Sequence, residues 1–156
     1  MTRGERNVAW IENYCRVPSG MGVGMPVVLR DWQRENILRI YDNPHGTRRA
    51  ILSFGRKNGK TALAAWLLLL HLVGPEAVQN GELCSAARTK EQAGILYKYA
   101  KQTVMQSPDL VSHVSYVDTK KRLECKAIGT FYEALSRDAS STLGRSPVFI
   151  VHDELG

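Results

Sequence analysis

The sequence predicts an α/β fold with a mainly parallel central sheet flanked by helices, and three observations carry that prediction. Short apolar runs of strand length alternate with longer segments of helical periodicity. The run Ser53-Phe54-Gly55-Arg56-Lys57-Asn58-Gly59-Lys60-Thr61 lies between an apolar run and a long apolar helix pattern, the setting of a phosphate-binding loop. The apolar run Val148 to Val151 leads through His152 into two adjacent carboxylates, Asp153 and Glu154. A central parallel strand buried on both faces reads this way, with acidic groups at the carboxyl end where α/β sheets bind ligands.

Residues 1–28 form a leader. Val8 to Tyr14 is predicted as a short helix, and Pro18 to Pro26 as a Gly- and Pro-rich loop. Asp31 is placed as the N-cap of a helix reaching Tyr41, ended by Asn43-Pro44-His45-Gly46. Arg49 to Phe54 is expected to be a short strand, Gly55 to Asn58 the loop, and Gly59 to Val73 a helix broken by Gly74-Pro75. Gly81 to Ala86 reads as a strand, and Thr89 as the cap of a helix through Gln106, ended by Ser107-Pro108. Val111 to Val117, Arg122 to Ile128 and Thr130 to Leu135 read as short strands. Ser136 to Pro147 reads as a polar loop, and Val148 to Val151 as the last strand, with His152 packing in it.

With 156 residues, 44% apolar and 23% charged, the chain suits one globular domain. The stretch Ala62 to Leu70 is too short to span a bilayer and follows the loop, so it reads as a buried helix. The amino terminus leads into no apolar signal core, and secretion is not expected. Cys15, Cys84 and Cys125 are widely spaced, with no CxxC pair and no zinc spacing, and read as buried thiols in a reducing cytosol. The net charge is +6, and residues 1–80 hold 11 basic against 6 acidic residues. A positive field of this size suits polyanionic partners, although Arg56, Lys57 and Lys60 supply part of it.

The chemistry of the two segments is that of a magnesium–nucleotide site. Gly59 lets the backbone approach phosphates, Lys60 supplies a cation, Thr61 a metal-directed hydroxyl, and the helix that follows adds its positive end. The spacing G-x-x-x-x-G-K-[ST] fails by one position, because Phe54 stands at the first glycine and Gly55 comes one residue late. Arg56 is unusual inside such a loop; it either reaches the γ-phosphate or a neighbouring group, or is solvated, and Lys57 reads rather as a solvated loop cation. Asp153 would hold Mg²⁺ and Glu154 would polarise the attacking water. Neighbours on a strand point opposite ways, so the two carboxylates do not share one role.

Four segments together resemble the ATPase domain of tailed-phage terminase large subunits, the motors that package DNA into procapsids. The loop Gly55 to Thr61 resembles the family's deviant phosphate loop, with Arg ahead of G-K-[ST]. Leu29-Arg30-Asp31-Trp32-Gln33 resembles its adenine-reading segment. Cys84 to Ala93 resembles the strand-to-helix segment after the loop helix. Thr142 to Pro147 with Ile150 to Glu154 resembles its loop and acidic strand. The resemblance implies a P-loop NTPase of the additional-strand, RecA/helicase-like type over residues 29–156, using ATP and Mg²⁺.

It also implies that Gln33 reads adenine through its amide, the alternative being an exposed glutamine at a helix start. Trp32 packs beside the base or anchors the helix. An arginine finger from a neighbouring subunit is matched most closely by Arg145 and next by Arg137, while Arg88 faces either DNA or solvent. The implied partners are double-stranded DNA, further copies in a homo-oligomeric ring on a portal, and the small terminase subunit, in the host cytoplasm and without a membrane. The family's coupling motif and nuclease domain come after Glu154, so this chain is expected to lack an endonuclease site. Two other readings stay open: a helicase-type DNA translocase, and a non-catalytic nucleotide-binding remnant.

Overall fold

The structure, a computed structural model, describes residues 1–51, 59–136 and 146–152. Helices α1 (Arg3–Tyr14), α2 (Asp31–Tyr41) and α3 (Lys60–Leu72) precede strand β1 (Glu82–Ala87) and helix α4 (Lys90–Gln106). Strands β2 (Ser115–Val117), β3 (Arg122–Cys125), β4 (Thr130–Ser136) and β5 (Phe149–His152) complete the described order, with a 3-10 turn at Asp118–Lys120. The sheet order is β2-β3-β4-β1-β5. Strands β4, β1 and β5 are parallel, and β2 and β3 extend the sheet as an antiparallel wing.

Local signals account for most helix ends. Thr2 accepts from the Glu5 N–H while Glu5 accepts from the Thr2 N–H, a reciprocal capping box, so α1 starts five residues before the expected Val8. Asp31 is the first helical residue of α2 rather than its cap, which places its carboxylate in the first turn, on the favourable side of the helix dipole. Gly59 and Val73 cap α3, and Thr89 caps α4 by accepting from the Gln92 N–H at 3.1 Å. Helix α3 is apolar nearly all round, with Leu63, Ala65 and every residue from Trp66 to Leu70 buried, and it packs against α4, α1 and the sheet.

Four strand expectations need correction. The described part of the Arg49–Phe54 segment, Arg49 to Ile51, forms no strand; Arg49, Ala50 and Ile51 are all exposed, so no core contact holds the chain there. The Val111–Val117 segment is extended only from Ser115, because the N–H groups of Val111 and Val114 turn back to Ser107 and Leu110 and let Leu110 and Val114 bury. Strand β3 ends at Cys125 because the N–H groups of Ile128 and Gly129 fold back onto its carbonyl. Strand β5 is not buried on both faces. It ends the described sheet, so Phe149 and Val151 pack on the core while Ile150 and His152 are exposed, and His152 is no packing residue.

One core holds the leader and the rest together: Val8, Ile11, Cys15 and Val27 share it with α3, Leu83 and Tyr132. Cys15, Cys84 and Cys125 are buried and form no disulfide. A polar clamp closes the structure behind α3. The Glu76 carboxylate, just past the helix, accepts from Arg3 (Nε at 2.8 Å, and a second guanidinium nitrogen), from Arg6 at 3.0 Å and from Asn7 at 3.0 Å. The Arg3 hydrogen bond holds its carboxyl down to about pH 2, well below the usual carboxylate range. Beside it Asp42 accepts from the Gly4 N–H at 2.7 Å, an approach so close that a Cβ on Gly4 would lie 2.7 Å from the carboxylate.

Candidate nucleotide site

The direction of α3 decides which edge of the sheet can hold a ligand. The Thr130 hydroxyl, at the start of β4, donates to the carbonyl of Leu72 at the end of α3. His71, in the last turn of α3, stacks on Phe149 at the start of β5. The carboxyl end of α3 therefore lies at the amino edge of the parallel strands, and its amino end points to their carboxyl edge. Strand β1 feeds α4 at that same edge through Arg88 and Thr89. The register Ser85 to Val151 and Ala86 to His152 brings the end of β5 level with the end of β1. Two helix amino termini and the strand that runs into Asp153 thus share one edge, as ligand binding in α/β sheets requires.

At this edge α3 begins with Gly59 at φ +76°, a left-handed conformation that favours glycine, and its carbonyl accepts the first helical hydrogen bond, from Leu63 at 3.0 Å. Lys60 and Thr61 stand half-buried in the first turn. Gln33 lies beside them. It is 4% exposed, its Oε1 accepts from the Arg30 N–H at 2.9 Å, and its Nε2 lies 3.6 Å from where a Gly59 Cβ would stand. The amide of the expected base-reading segment is therefore within touching distance of the turn expected to bind phosphate, and the exposed-glutamine alternative does not hold. A carbonyl oxygen has two lone pairs, so the Arg30 bond leaves Oε1 one acceptor position.

Trp32 is half-buried and packs against the core, in line with an anchor for α2. One supporting residue had no signal in the sequence. Glu12 of α1 accepts from the Leu29 N–H at 3.0 Å and from Arg34 at 3.4 Å, fixing the chain just ahead of Gln33. Its spacing on α1 is that of any solvated glutamate, so only the folded contact identifies it. Arg88 is exposed at the strand-to-helix turn. Behind the edge, Ser85 of β1 and Tyr132 of β4 share a buried hydrogen bond of 2.6 Å.

Gly55, Arg56, Lys57, Asn58, Arg137, Arg145, Asp153 and Glu154 lie outside the described residues. Among the described residues no cluster of three His, Cys, Asp or Glu side chains is placed to hold a metal, and Thr61 is the one described member of the expected metal pair. Its surroundings fit a metal–nucleotide complex. The left-handed turn at Gly59 leaves room beside the Gln33 amide, 3.6 Å from where a Cβ would stand, and no acidic side chain of the first turn of α3 competes with a phosphate for its amino end. A depression of about 290 Å³ lined by Glu5, Val8, Ala9, Glu12, Arg34 and Leu38 lies between α1 and α2 and includes none of the expected site residues. No described helix is long and apolar enough to cross a membrane.

A family model described as "Terminase large subunit, ATPase domain" matches residues 31–156. The large terminase subunit of Enterobacteria phage HK97 is 47% identical over 156 residues, which is all of this chain and 31% of that protein. The crystal structure of the HK97 large terminase superposes with a TM-score of 0.90 at 46% identity, covering 99% of this chain and 31% of that one. The chain thus spans under a third of the length of the relative it matches.

Proposed function

The chain belongs to the terminase large-subunit ATPase family, and from that premise we propose that it is the ATP-hydrolysing part of a motor that drives double-stranded DNA into a procapsid. The observation that carries this reading furthest is the Gln33 amide beside Gly59, at the amino end of α3 and the carboxyl edge of the sheet. Adenine and triphosphate are joined in one molecule, and here the group suited to each lies on neighbouring helices. In this reading residues 29–156 are the ATPase domain, 1–28 the leader packed on it, and the working state is a homo-oligomeric ring on a portal, with the small terminase subunit, in the host cytoplasm.

The roles follow from chemistry. Gln33 offers one acceptor and an amide donor to the adenine edge, and guanine presents the opposite pattern. Backbone N–H groups after Gly59 point at phosphate oxygens, and the Lys60 ammonium neutralises them. Thr61 and Asp153 would hold Mg²⁺, which screens the charge of the triphosphate when bound. Glu154 accepts the proton of the attacking water. Arg56, from within the loop, and Arg145, from a neighbouring subunit, stabilise charge on the transferred phosphoryl group, a task for which the planar guanidinium is suited.

Calorimetry on the full-length protein tests the reading. Lys60→Ala is expected to abolish measurable binding of both Mg-ATP and Mg-triphosphate, because no other described side chain of the first turn carries an ammonium. Gln33→Ala is expected to weaken ATP more than bare triphosphate. Parental Mg-ATP affinity in Lys60→Ala would reject the site, and equal losses for the two ligands in Gln33→Ala would reject the adenine role alone.

A further inference from the structure

The site proposed above is assembled from the front ends of three rods, α2, α3 and β5, and their back ends meet at one side chain. His71 stands in the last turn of α3. Its Nε2 lies 2.8 Å from the hydroxyl of Tyr41, the last residue of α2, with the two rings 5.9 Å apart. Its ring face stacks on Phe149, the first residue of β5, at 4.0 Å between centroids and 15° between planes. At the front, Gln33 precedes Tyr41 on α2 by about 12 Å, and Thr61 precedes His71 on α3 by about 15 Å, at the usual rise per residue. Asp153 and Glu154 follow His152 in the chain, so the carboxylates are joined to Phe149 through an extended strand.

Helices and strands do not stretch on the scale of a bond length. Where two of them are fastened at one end, the register there sets the separation at the other. Strand β5 is hydrogen-bonded to β1, which fixes it within the sheet but leaves its register against α3 to side-chain contacts. The His71–Phe149 stack is such a contact, and the Tyr41 bond adds α2 to it. We propose that His71 is a positioning residue of the nucleotide site: by stacking on Phe149 and bonding Tyr41 it sets β5 and α2 in register with α3, and so aligns Thr61 with the end of β5.

The ring is suited to this. Burial favours its neutral form, with Glu76 and Arg3 acting on it in opposite senses, so the Tyr41 bond is a neutral one and persists across ordinary pH. The inference rests on the proposed nucleotide function and concerns only its geometry. A residue that merely supports the fold would lower the melting temperature and leave the proportions of ligand affinity alone. A residue that aligns two halves of a metal site would change those proportions, because in the proposed reading Mg²⁺ would be held by Thr61 of α3 and by Asp153 after β5, whereas metal-free nucleotide would rely on α2 and α3.

The test is the ratio of ATP affinity in Mg²⁺ to ATP affinity in excess EDTA, measured by calorimetry on the full-length protein. His71→Ala is expected to lower this ratio about tenfold, the scale on which residues behind a metal ligand act. His71→Phe, which keeps the stack and loses the Tyr41 bond, is expected to restore most of it. Phe149→Leu is expected to lower the ratio by less than His71→Ala, and it decides the matter should His71→Ala not fold. Variants with reduced melting temperatures and the parental ratio would overturn the positioning role. A parent protein that binds no nucleotide in Mg²⁺ would overturn the functional reading, and this role with it.

Discussion

The two ends of α3 are built on opposite rules. At its carboxyl end the backbone is closed off: the Val73 and Gly74 N–H groups return to Leu69, the Glu76 N–H to Leu70, and the Thr130 hydroxyl takes the Leu72 carbonyl. Two arginines and an asparagine then saturate Glu76. At the amino end stands Gly59, which has no side chain to cap with. Helices α1, α2 and α4 each carry an acidic residue in the first turn, Glu5, Asp31 and Glu91, whereas α3 has none and begins with Lys60. The amino end of a helix attracts negative charge. Three of these helices supply it from their own sequence, and in the proposed reading α3 leaves it to the nucleotide phosphates. On that proposal one element carries stability at one end and binding at the other.

The contrast is tested most severely at the front. On the proposed mechanism, Glu154→Gln keeps the shape of the carboxylate and removes the base, so steady-state ATP hydrolysis in the presence of DNA should fall by about 10²–10⁴. Mg-ATP affinity and the melting temperature should stay near parental values. Hydrolysis at the parental rate would mean that another group takes the proton.

At the back the effects should reverse. Glu76→Gln removes the charge that Arg3, Arg6 and Asn7 converge on, and is expected to cost about 1.5 kcal/mol. For a chain of this size that lowers the melting temperature by roughly 3–6 °C. Nucleotide affinity at 25 °C should not change. The acid limb carries the same signature. The folded-state carboxyl of Glu76 titrates near 2, below its ordinary 4.5, so its contribution is complete above about pH 4.5 and is lost as the pH falls toward 2. Burial pulls His71 from 6.5 down to about 4, so the unfolded chain takes up that proton first and stability declines as the pH falls from 6.5 to 4. Thermal melts from pH 7 to 3.5 should therefore descend throughout. Glu76→Gln should flatten the part below 4.5 and keep the part above it. A variant curve parallel to the parent's over the whole range would remove Glu76 from the account.

These two ends were not equally legible in the sequence. Glycine, proline and threonine punctuate the chain at Gly59, Gly74-Pro75, Thr89 and Ser107-Pro108, and the bounds of α3 and α4 follow from them within a residue. The Gly59-Lys60-Thr61 run is marked by its own chemistry and the Gln33 segment only by its resemblance to the terminase family, and the fold brings the two together. The back of the molecule carries no such mark. Glu76 meets Arg3 across 73 positions, and His71 meets Phe149 through a fold that only the finished sheet creates. Nothing local distinguishes Glu76 or Glu12 from a solvated glutamate. The start of α1 is legible from the capping-box spacing of Thr2 and Glu5, although the expected helix begins only at Val8. Strand β5 misled in the other direction: four apolar residues in a row look buried on both faces, yet only alternate ones reach the core.

The smallest expected effect lies where the contrast is finest, at Gly59→Ala. A Cβ there would stand 3.6 Å from the Gln33 amide, ordinary van der Waals contact, so space does not forbid alanine. The backbone does: at φ +76° an alanine is strained by about 1 kcal/mol. That strain can be released in two ways. If the turn relaxes, the first N–H groups of α3 move off the phosphates, and Mg-ATP affinity should fall about fivefold, the equivalent of 1 kcal/mol, while the melting temperature hardly changes. If the turn holds, stability takes the loss and affinity is kept. Among the described residues the amino end of α3 makes fewer hydrogen bonds than the end closed by Glu76, so the first outcome is expected. Calorimetry and a thermal melt on the same sample separate the two, and an unchanged affinity with a lowered melting temperature would show that the amino end of α3 is held as firmly as its carboxyl end.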